Sequence, residues 1–328
     1  MRSVVKGGNP LKEARLFLGE DWKRYREILS RYMRGRIPLL DRILRFIMRY
    51  RGKEMRPLFL LLTARLFGRL NESVHRAAVM VEILHNATLV HDDVVDDALK
   101  RRGFFSVKTL WGNRIAVLVG DFLLARGLLL AVDNNDWDSL RVLSRAVKAM
   151  SEGELFQAET ARKHNWTEQI YFEIIRLKTA SLFAVCTGLA AKVQGLPEED
   201  VEKWYWFGEQ LGIAFQIQDD VLDFQKKTGK SMGQDVKEGK LSLPVIYAME
   251  KMPLTKKWEF LRLLRNASKK KNFERIKSIV EEYDGFTYAR NKANFYMQRA
   301  YEFLKQFSDR EAYPYLKNLI DFILRRDK

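Results

Sequence analysis

Cysteine is nearly absent from this 328-residue chain. Its single example, Cys186, excludes an intramolecular disulfide and any cysteine-built zinc site, and it fits a reducing, cytoplasmic compartment. Histidine is almost as scarce. His75, His85, His91 and His164 fall at no zinc spacing, and no Ser-His-Asp set is legible. Proline occurs at positions 10, 38, 57, 197, 244, 253 and 314, which leaves residues 58–196 without one. Proline is costly inside a helix, so that run predicts a series of long helices. Long charge-free stretches are missing too: the segment between Lys178 and Lys192 holds 13 residues, against the ~20 needed to span a bilayer. The N-terminal region is charged throughout, so neither a spanning helix nor a signal peptide is expected. No fixed-period repeat, low-complexity tract or Gly/Ser linker is present. Gly229-Lys230-Ser231 resembles the end of a phosphate-binding loop, but Phe224 stands where that loop requires glycine.

What is present is a chain of 47% hydrophobic and 30% charged residues, enough to bury a large core. Lys and Arg number 58 against 42 Asp and Glu, for a net charge of +16. Residues 1–60 hold 16 basic and 6 acidic residues and supply most of that excess. Such a balance suits polyanionic partners (nucleic acid, anionic lipid or phosphorylated small molecules) or simply a solvated surface. The run Ser268-Lys269-Lys270-Lys271-Asn272 reads as a solvated turn between helices, and no nucleic-acid partner is expected. Leu39, Leu40, Ile43, Leu44 and Ile47 recur at helical spacing. Val74 to Val90 and Leu211 to Phe224 are apolar nearly all round, as central helices are. Asn71-Glu72-Ser73 and Pro197-Glu198-Glu199-Asp200 read as helix starts. Period-2 alternation is nearest between Phe104 and Trp111, where flanking glycines suggest a loop. The expectation is a single all-α domain over residues 1–328.

Two segments depart from a generic helical protein: Leu89-Val90-His91-Asp92-Asp93-Val94-Val95-Asp96-Asp97 and Phe215-Gln216-Ile217-Gln218-Asp219-Asp220-Val221-Leu222-Asp223. Each contains Asp-Asp-x-x-Asp, and residues i and i+4 of a helix share a face, so Asp92 pairs with Asp96 and Asp219 with Asp223. Carboxylates crowded at the end of an apolar helix repel one another and resist desolvation, so something cationic must compensate. Hard oxygen donors in this arrangement suit Mg²⁺, which keeps several waters and completes its shell with substrate phosphates. The bland alternative is surface acids or helix caps, but two such patterns on matching apolar flanks make chance a poor account. Basic residues surround both: Lys53, Arg56, His85, Arg101 and Arg102 near the first, and Lys178 (followed by the hydroxyl of Thr179), Lys230 and Lys240 near the second. As a set they read as anion contacts beside metal-bridged ones. Cys186, in an apolar stretch, reads as inert core.

The blocks GKEMRP, LVHDDVVDDALKRRG, WGNRIAVLVGDFLL, EGELFQ, RLKTASLF, LGIAFQIQDDVLDF and GKSMGQDVKEGKLSLP resemble the trans-isoprenyl diphosphate synthase, or polyprenyl synthetase, family, most closely between about Gly52 and Met249. The resemblance implies an isoprenoid-synthase-type helical bundle around a large central cavity, usually a homodimer. It implies Mg²⁺, three ions per active site with substrate bound. Asp92, Asp96 and Asp219 would be the leading ligands, with Asp93, Asp220 and Asp223 supporting them. Lys53, Arg56, His85 and Arg102 match the positions that bind isopentenyl diphosphate. Arg101, Lys178, Thr179, Gln216, Lys230 and Lys240 match those that bind the allylic diphosphate. The reaction implied is head-to-tail condensation of those two substrates, with peripheral membrane contact for product release.

The growing product is expected to run along the helix that carries Asp92, past Ala87, Leu84 and Val81, each about one turn from the next. Short-chain relatives place bulky residues near the first cluster. Here Ala87 and Thr88 are small, so a hepta- to octaprenyl product is expected, with Leu128 as a deeper floor. The rivals are a short-chain synthase (geranylgeranyl or farnesyl diphosphate), a class I terpene cyclase, and a basic nucleic-acid-binding protein. The cyclase should carry an Asn/Asp, Ser/Thr, Glu metal motif where this chain has DDVLD, and the last leaves both acid clusters unexplained.

Overall fold

The computed structural model of the chain describes residues 9–101, 103–226, 240–267 and 269–324, with the side chains of Asp223, Gln225, Lys226, Ile323 and Leu324 not described. Arg102 and Lys230 lie outside these residues. In chain order the helices are α1 (Pro10–Leu18), α2 (Glu20–Tyr32), α3 (Pro38–Arg49), α4 (Met55–Arg65) and α5 (Glu72–Val95). A hairpin of β1 (Lys100–Arg101) and β2 (Phe104–Phe105) follows, antiparallel, with Lys100 opposite Phe105. Then come α6 (Val107–Trp111), α7 (Asn113–Asp133), α8 (Trp137–Lys163) and α9 (Glu168–Ile175). A π-helical turn (Arg176–Ala180) leads into α10 (Ser181–Val193) and α11 (Glu198–Lys226). The remainder is α12 (Leu243–Lys251), α13 (Leu254–Arg265), α14 (Lys270–Glu282), α15 (Gly285–Lys305) and α16 (Tyr313–Leu324). The all-α expectation holds, and the segment from Phe104 to Trp111 is a two-residue strand and a short helix.

The helix starts follow from local chemistry. Asn71 caps α5, its side chain accepting from the Val74 amide, with Glu72 in the first turn. At α11 the helix begins directly after Pro197, with Glu198, Glu199 and Asp200 facing the positive end of the dipole.

The chain groups into two compact units. The first takes the described residues of 1–144, 185–205 and 307–319. Within it α5 packs chiefly on α7 and also on α4 and α2. Leu58 through Leu62 on α4 and Ala77 through Val81 on α5 are buried on every face, as the near-continuous apolar sequence requires. Each such leucine or valine contributes about 1.5–3 kcal/mol on burial. The second unit takes the described residues of 145–184, 206–306 and 320–324. There α12 packs on α15, α14 and α9. Phe224 at the end of α11 lies between Phe273 and Phe286, with centroids 5.6 and 5.2 Å away.

Two helical stretches, Asn113–Asp133 and Glu168–Val193, are by length and hydropathy apolar enough to cross a membrane, so charge-free runs were too strict a criterion. A helix of that kind keeps a high mean hydropathy while carrying an isolated Asp121 or Arg126. Most of the second stretch is buried in the chain's own core, whereas a third of the first is.

Candidate active site

In the first unit the aspartate motif lies at the C-terminal end of α5. The Asp96 amide donates to the Asp92 carbonyl at 2.8 Å, so the two residues are one turn apart, and Asp96 is the cap. The helix dipole is negative there, and no basic residue occupies the last turn. This end of α5 therefore gathers negative charge that its own helix cannot offset. The hairpin and α6 answer part of it: Arg101 Nε, on β1, donates to Asp93 Oδ1 at 2.6 Å, and Lys108 Nζ, on α6, pairs with Asp97. Asp93 is buried, which pushes its carboxyl above the usual range, and the Arg101 bond pulls it back.

The predicted isopentenyl diphosphate residues are partly assembled. Arg56 Nη1 donates to His85 Nε2 at 3.0 Å; guanidinium has only donors, so that ring nitrogen accepts. Lys53 is exposed, two residues before α4. Between Lys53 and Arg56 stands Glu54, whose role the sequence did not reveal. Its backbone is left-handed (φ 50°, ψ 43°), and its side chain is 3% exposed. Its carboxylate accepts from Tyr25 Oη at 3.2 Å and Arg26 Nη1 at 3.3 Å, and Arg51 Nε lies at 3.4 Å. Arg15 Nη2 completes the cage by donating to the Lys53 carbonyl at 2.7 Å. Four side chains from α1, α2 and the loop before α4 thus pin the turn that presents Lys53 and Arg56. The only signal available was an acid inside a basic motif, Lys53-Glu54-Met55-Arg56.

A second feature missed by sequence reasoning lies beside Asp92. The neighbouring His91 reaches the Val117 carbonyl at 3.2 Å and Asp121 Oδ1 at 3.4 Å on α7. It lies over Gly120, where an added Cβ would come within 2.1 Å of Nε2. Gly120 is therefore glycine for space, not for backbone freedom.

The second unit contains a cavity of about 290 Å³. It is lined by Lys178, Thr179, Gln216, Asp220 and Lys240, with Tyr171, Phe224 and Ile246 among its apolar walls. The four allylic diphosphate candidates that belong to this unit and are described converge here. The π-helical turn carries Lys178 and Thr179, an irregularity frequent at functional sites because it re-aims side chains. Lys178 Nζ contacts Gln157 Oε1 at 2.8 Å and Glu154 Oε1 at 2.6 Å. Gly153, on α8, makes room for that turn, since a Cβ there would meet Lys178 Cγ at 2.7 Å. Thr179 Oγ1 donates to Gln216 Oε1 at 2.8 Å, and Gln216 Nε2 donates to Asp220 Oδ1 at 2.9 Å. Tyr171 Oη donates to the other Asp220 oxygen at 2.8 Å. Burial, and then the Asp220 charge, push the Tyr171 phenol well above its ordinary value, so it stays a donor. Asp219 is half-buried on α11, and Asp223 follows one turn later.

Among the described residues no three acidic, histidine or cysteine side chains are gathered as a closed metal cage. Mg²⁺ does not need one: it takes one or two carboxylates and fills its octahedron with waters and substrate phosphates. The oxygen-only donors and the acid-rich end of α5 fit that ion. Of the pocket residues, Val81, Leu84 and Ala87 are buried on α5, Thr88 is half-buried with its hydroxyl on the His85 carbonyl, and Leu128 is 46% exposed on α7. Val81, Leu84 and Ala87 thus sit together in the packed interior, and Leu128 is exposed. Cys186 is fully buried, which pushes its thiol up to about 12, as expected of inert core.

An all-α chain with two aspartate-ended helices and a cationic cavity defines a class of enzyme that handles diphosphates. The polyprenyl synthetase family model matches residues 37–283, extending the sequence resemblance at both ends. The chain belongs to the polyprenyl synthetase family. It is 37% identical over 243 residues to heptaprenyl diphosphate synthase component 2 of Geobacillus stearothermophilus, covering 73% of this chain and 76% of that one. It is 33% identical over 315 residues to geranylgeranyl diphosphate synthase of Sulfolobus acidocaldarius, covering 92% and 95%. The crystal structure of a polyprenyl synthase from Caulobacter crescentus, complexed with calcium and isoprenyl diphosphate, matches with a TM-score of 0.86 at 30% identity, over 98% of this chain and 99% of that one.

Proposed function

We propose that the chain is a Mg²⁺-dependent trans-polyprenyl diphosphate synthase that adds isopentenyl diphosphate head-to-tail to an allylic diphosphate, with a hepta- to octaprenyl product. The convergence of Lys178, Thr179, Gln216, Asp220 and Lys240 on one apolar-walled cavity carries this reading. A divalent cation and an isoprenyl diphosphate in the Caulobacter relative support it.

Ionisation of the allylic C–O bond leaves negative charge on the departing diphosphate, and Lys178, Lys240 and Arg101 stabilise it where it grows. Asp92, Asp96 and Asp219, with Asp93, Asp220 and Asp223 in support, would hold Mg²⁺, three ions when substrate is present, which would supply Lewis-acid stabilisation of that leaving group. Ile246, Phe224 and their neighbours exclude water from the allylic cation. Lys53, Arg56, His85 and Arg102 orient the second diphosphate so that its double bond attacks the cation. The released diphosphate takes the proton lost as the new double bond forms.

Two features support the finer reading. Ala87 is buried with no bulk to stop a chain beside Asp92, which favours the long product. Val117, Leu118, Leu128, Leu129 and Val132 are exposed along α7, an apolar stripe that a second copy would cover in a cytoplasmic homodimer. Incubation with Mg²⁺, labelled isopentenyl diphosphate and farnesyl diphosphate, with products separated by length, tests the assignment. Hepta- or octaprenyl products are expected, and Ala87→Tyr shortens them. A cyclic hydrocarbon, or no elongation, rules the assignment out; an unchanged product ladder in the variant rules out the α5 wall.

A further inference from the structure

The most basic stretch outside the active site is 251–271, with eight lysines and arginines against the single acid Glu259. It comprises the end of α12, α13 and the turn into α14. Helix α13 buries Phe260 and Leu264. Its opposite side presents Leu254 at 76% exposure and Trp258 at 72%, one turn apart. Arg262, one turn further, and Arg265, seven residues beyond Trp258, share that side. Beyond the helix, Lys269 at the cap of α14 and Lys270 and Lys271 in its first turn are all exposed, and Asn272 Nδ2 donates to the Asn266 carbonyl at 2.9 Å. Lys256, by contrast, is engaged with Glu282, and Lys251 lies over the Tyr247 ring. Arg262, Arg265 and the three lysines pair with no carboxylate among the described residues.

A tryptophan and a leucine held in water, bordered by unpaired cations, are poorly matched to solvent and well matched to a lipid interface. There the indole sits at headgroup depth and the cations meet phosphates. We propose that this face of α13, with the three lysines that open α14, docks the protein on an anionic lipid bilayer. The surface deepens the polyprenyl synthase reading and rests on it for its purpose, because a diphosphate carrying a long apolar tail leaves most readily into a membrane. Charge selects the occupant: a second copy of this basic surface would repel itself.

The experiment is co-sedimentation of the full chain with vesicles of phosphatidylcholine alone or mixed with phosphatidylglycerol. Binding to the mixed vesicles, weakened by salt, is expected. Leu254→Ser/Trp258→Ser should weaken it about ten-fold or more, and charge reversal of Lys269, Lys270 and Lys271 about a hundred-fold. Both variants should keep the circular dichroism and the prenyl transfer rate in detergent. Equal binding by the variants, or none by the unaltered chain, overturns the proposal. So does binding of single-stranded RNA in place of vesicles, or a change of oligomeric state in Leu254→Ser/Trp258→Ser. Vesicle binding is read without substrate, so a chain that docks but elongates nothing refutes the enzymatic reading and leaves the surface standing.

Discussion

At the end of α5 the middle aspartate of the motif, Asp93, is held by a full counter-charge, Arg101 at 2.6 Å, whereas on α11 the equivalent Asp220 is held by a phenol and an amide. A guanidinium neutralises as well as orients; Tyr171 and Gln216 orient only. Under the proposed function Arg101 would also bind the allylic diphosphate, so it is a cation that an incoming phosphate would share with Asp93. The cations around the second cluster include Lys178 and Lys240, which line the same cavity as Asp220. Two copies of one five-residue spelling are thus supported by different chemistry.

The largest test asks whether the clusters are equivalent in the metal-assisted step. Asp92→Asn and Asp219→Asn should each lower turnover about a thousand-fold, and EDTA should abolish it. Wild-type turnover in either variant would break the equivalence. A finer test contrasts the two supports. Arg101→Gln leaves the buried Asp93 without its counter-charge and should cost about 3 kcal/mol in urea unfolding. Tyr171→Phe removes one neutral donor and should cost about 1 kcal/mol. Equal losses would show that the distinction between neutralising and orienting partners has no energetic content.

Glu54→Gln weakens the arginine cage around the Lys53 turn. The expected result is a several-fold rise in KM for isopentenyl diphosphate with KM for the allylic substrate unchanged, and a parallel rise in both would refute a local positioning role. The smallest effect concerns groups that both units keep neutral. Cys186, Tyr25 and Tyr171 are all pushed up, chiefly by burial. A group whose pKa is raised on folding contributes stability that is present below its unfolded value and lost as pH rises toward the folded one. For Cys186 the window runs from about 8.5 to about 12. Urea midpoints should fall across it, less steeply in Cys186→Ala, and a flat profile would contradict the burial argument.

Both aspartate motifs and their cations were legible because the i, i+4 relation is fixed by helix geometry, whatever packs around it. The helix starts at Asn71 and after Pro197 were legible for the same reason, since caps and dipoles act within one turn. Leu128 is the instructive contrast. Its place on a helix after Gly120 was readable, but which way that helix turns it was not, and it faces outward in the single chain. The Glu54 cage joins residues 15, 26, 51 and 54, and nothing in those spacings declares a contact.

The sequence by itself determined the all-α architecture, the two acid clusters and the pool of cations around them, because helix periodicity, capping and charge are local properties. Only the tertiary structure decided which cation meets which acid, that Glu54 pins the Lys53 turn, that Lys178, Thr179, Gln216 and Lys240 share one cavity, and that Trp258 stands in water. Those are matters of distance between residues far apart in the chain, and distance of that kind is fixed by packing.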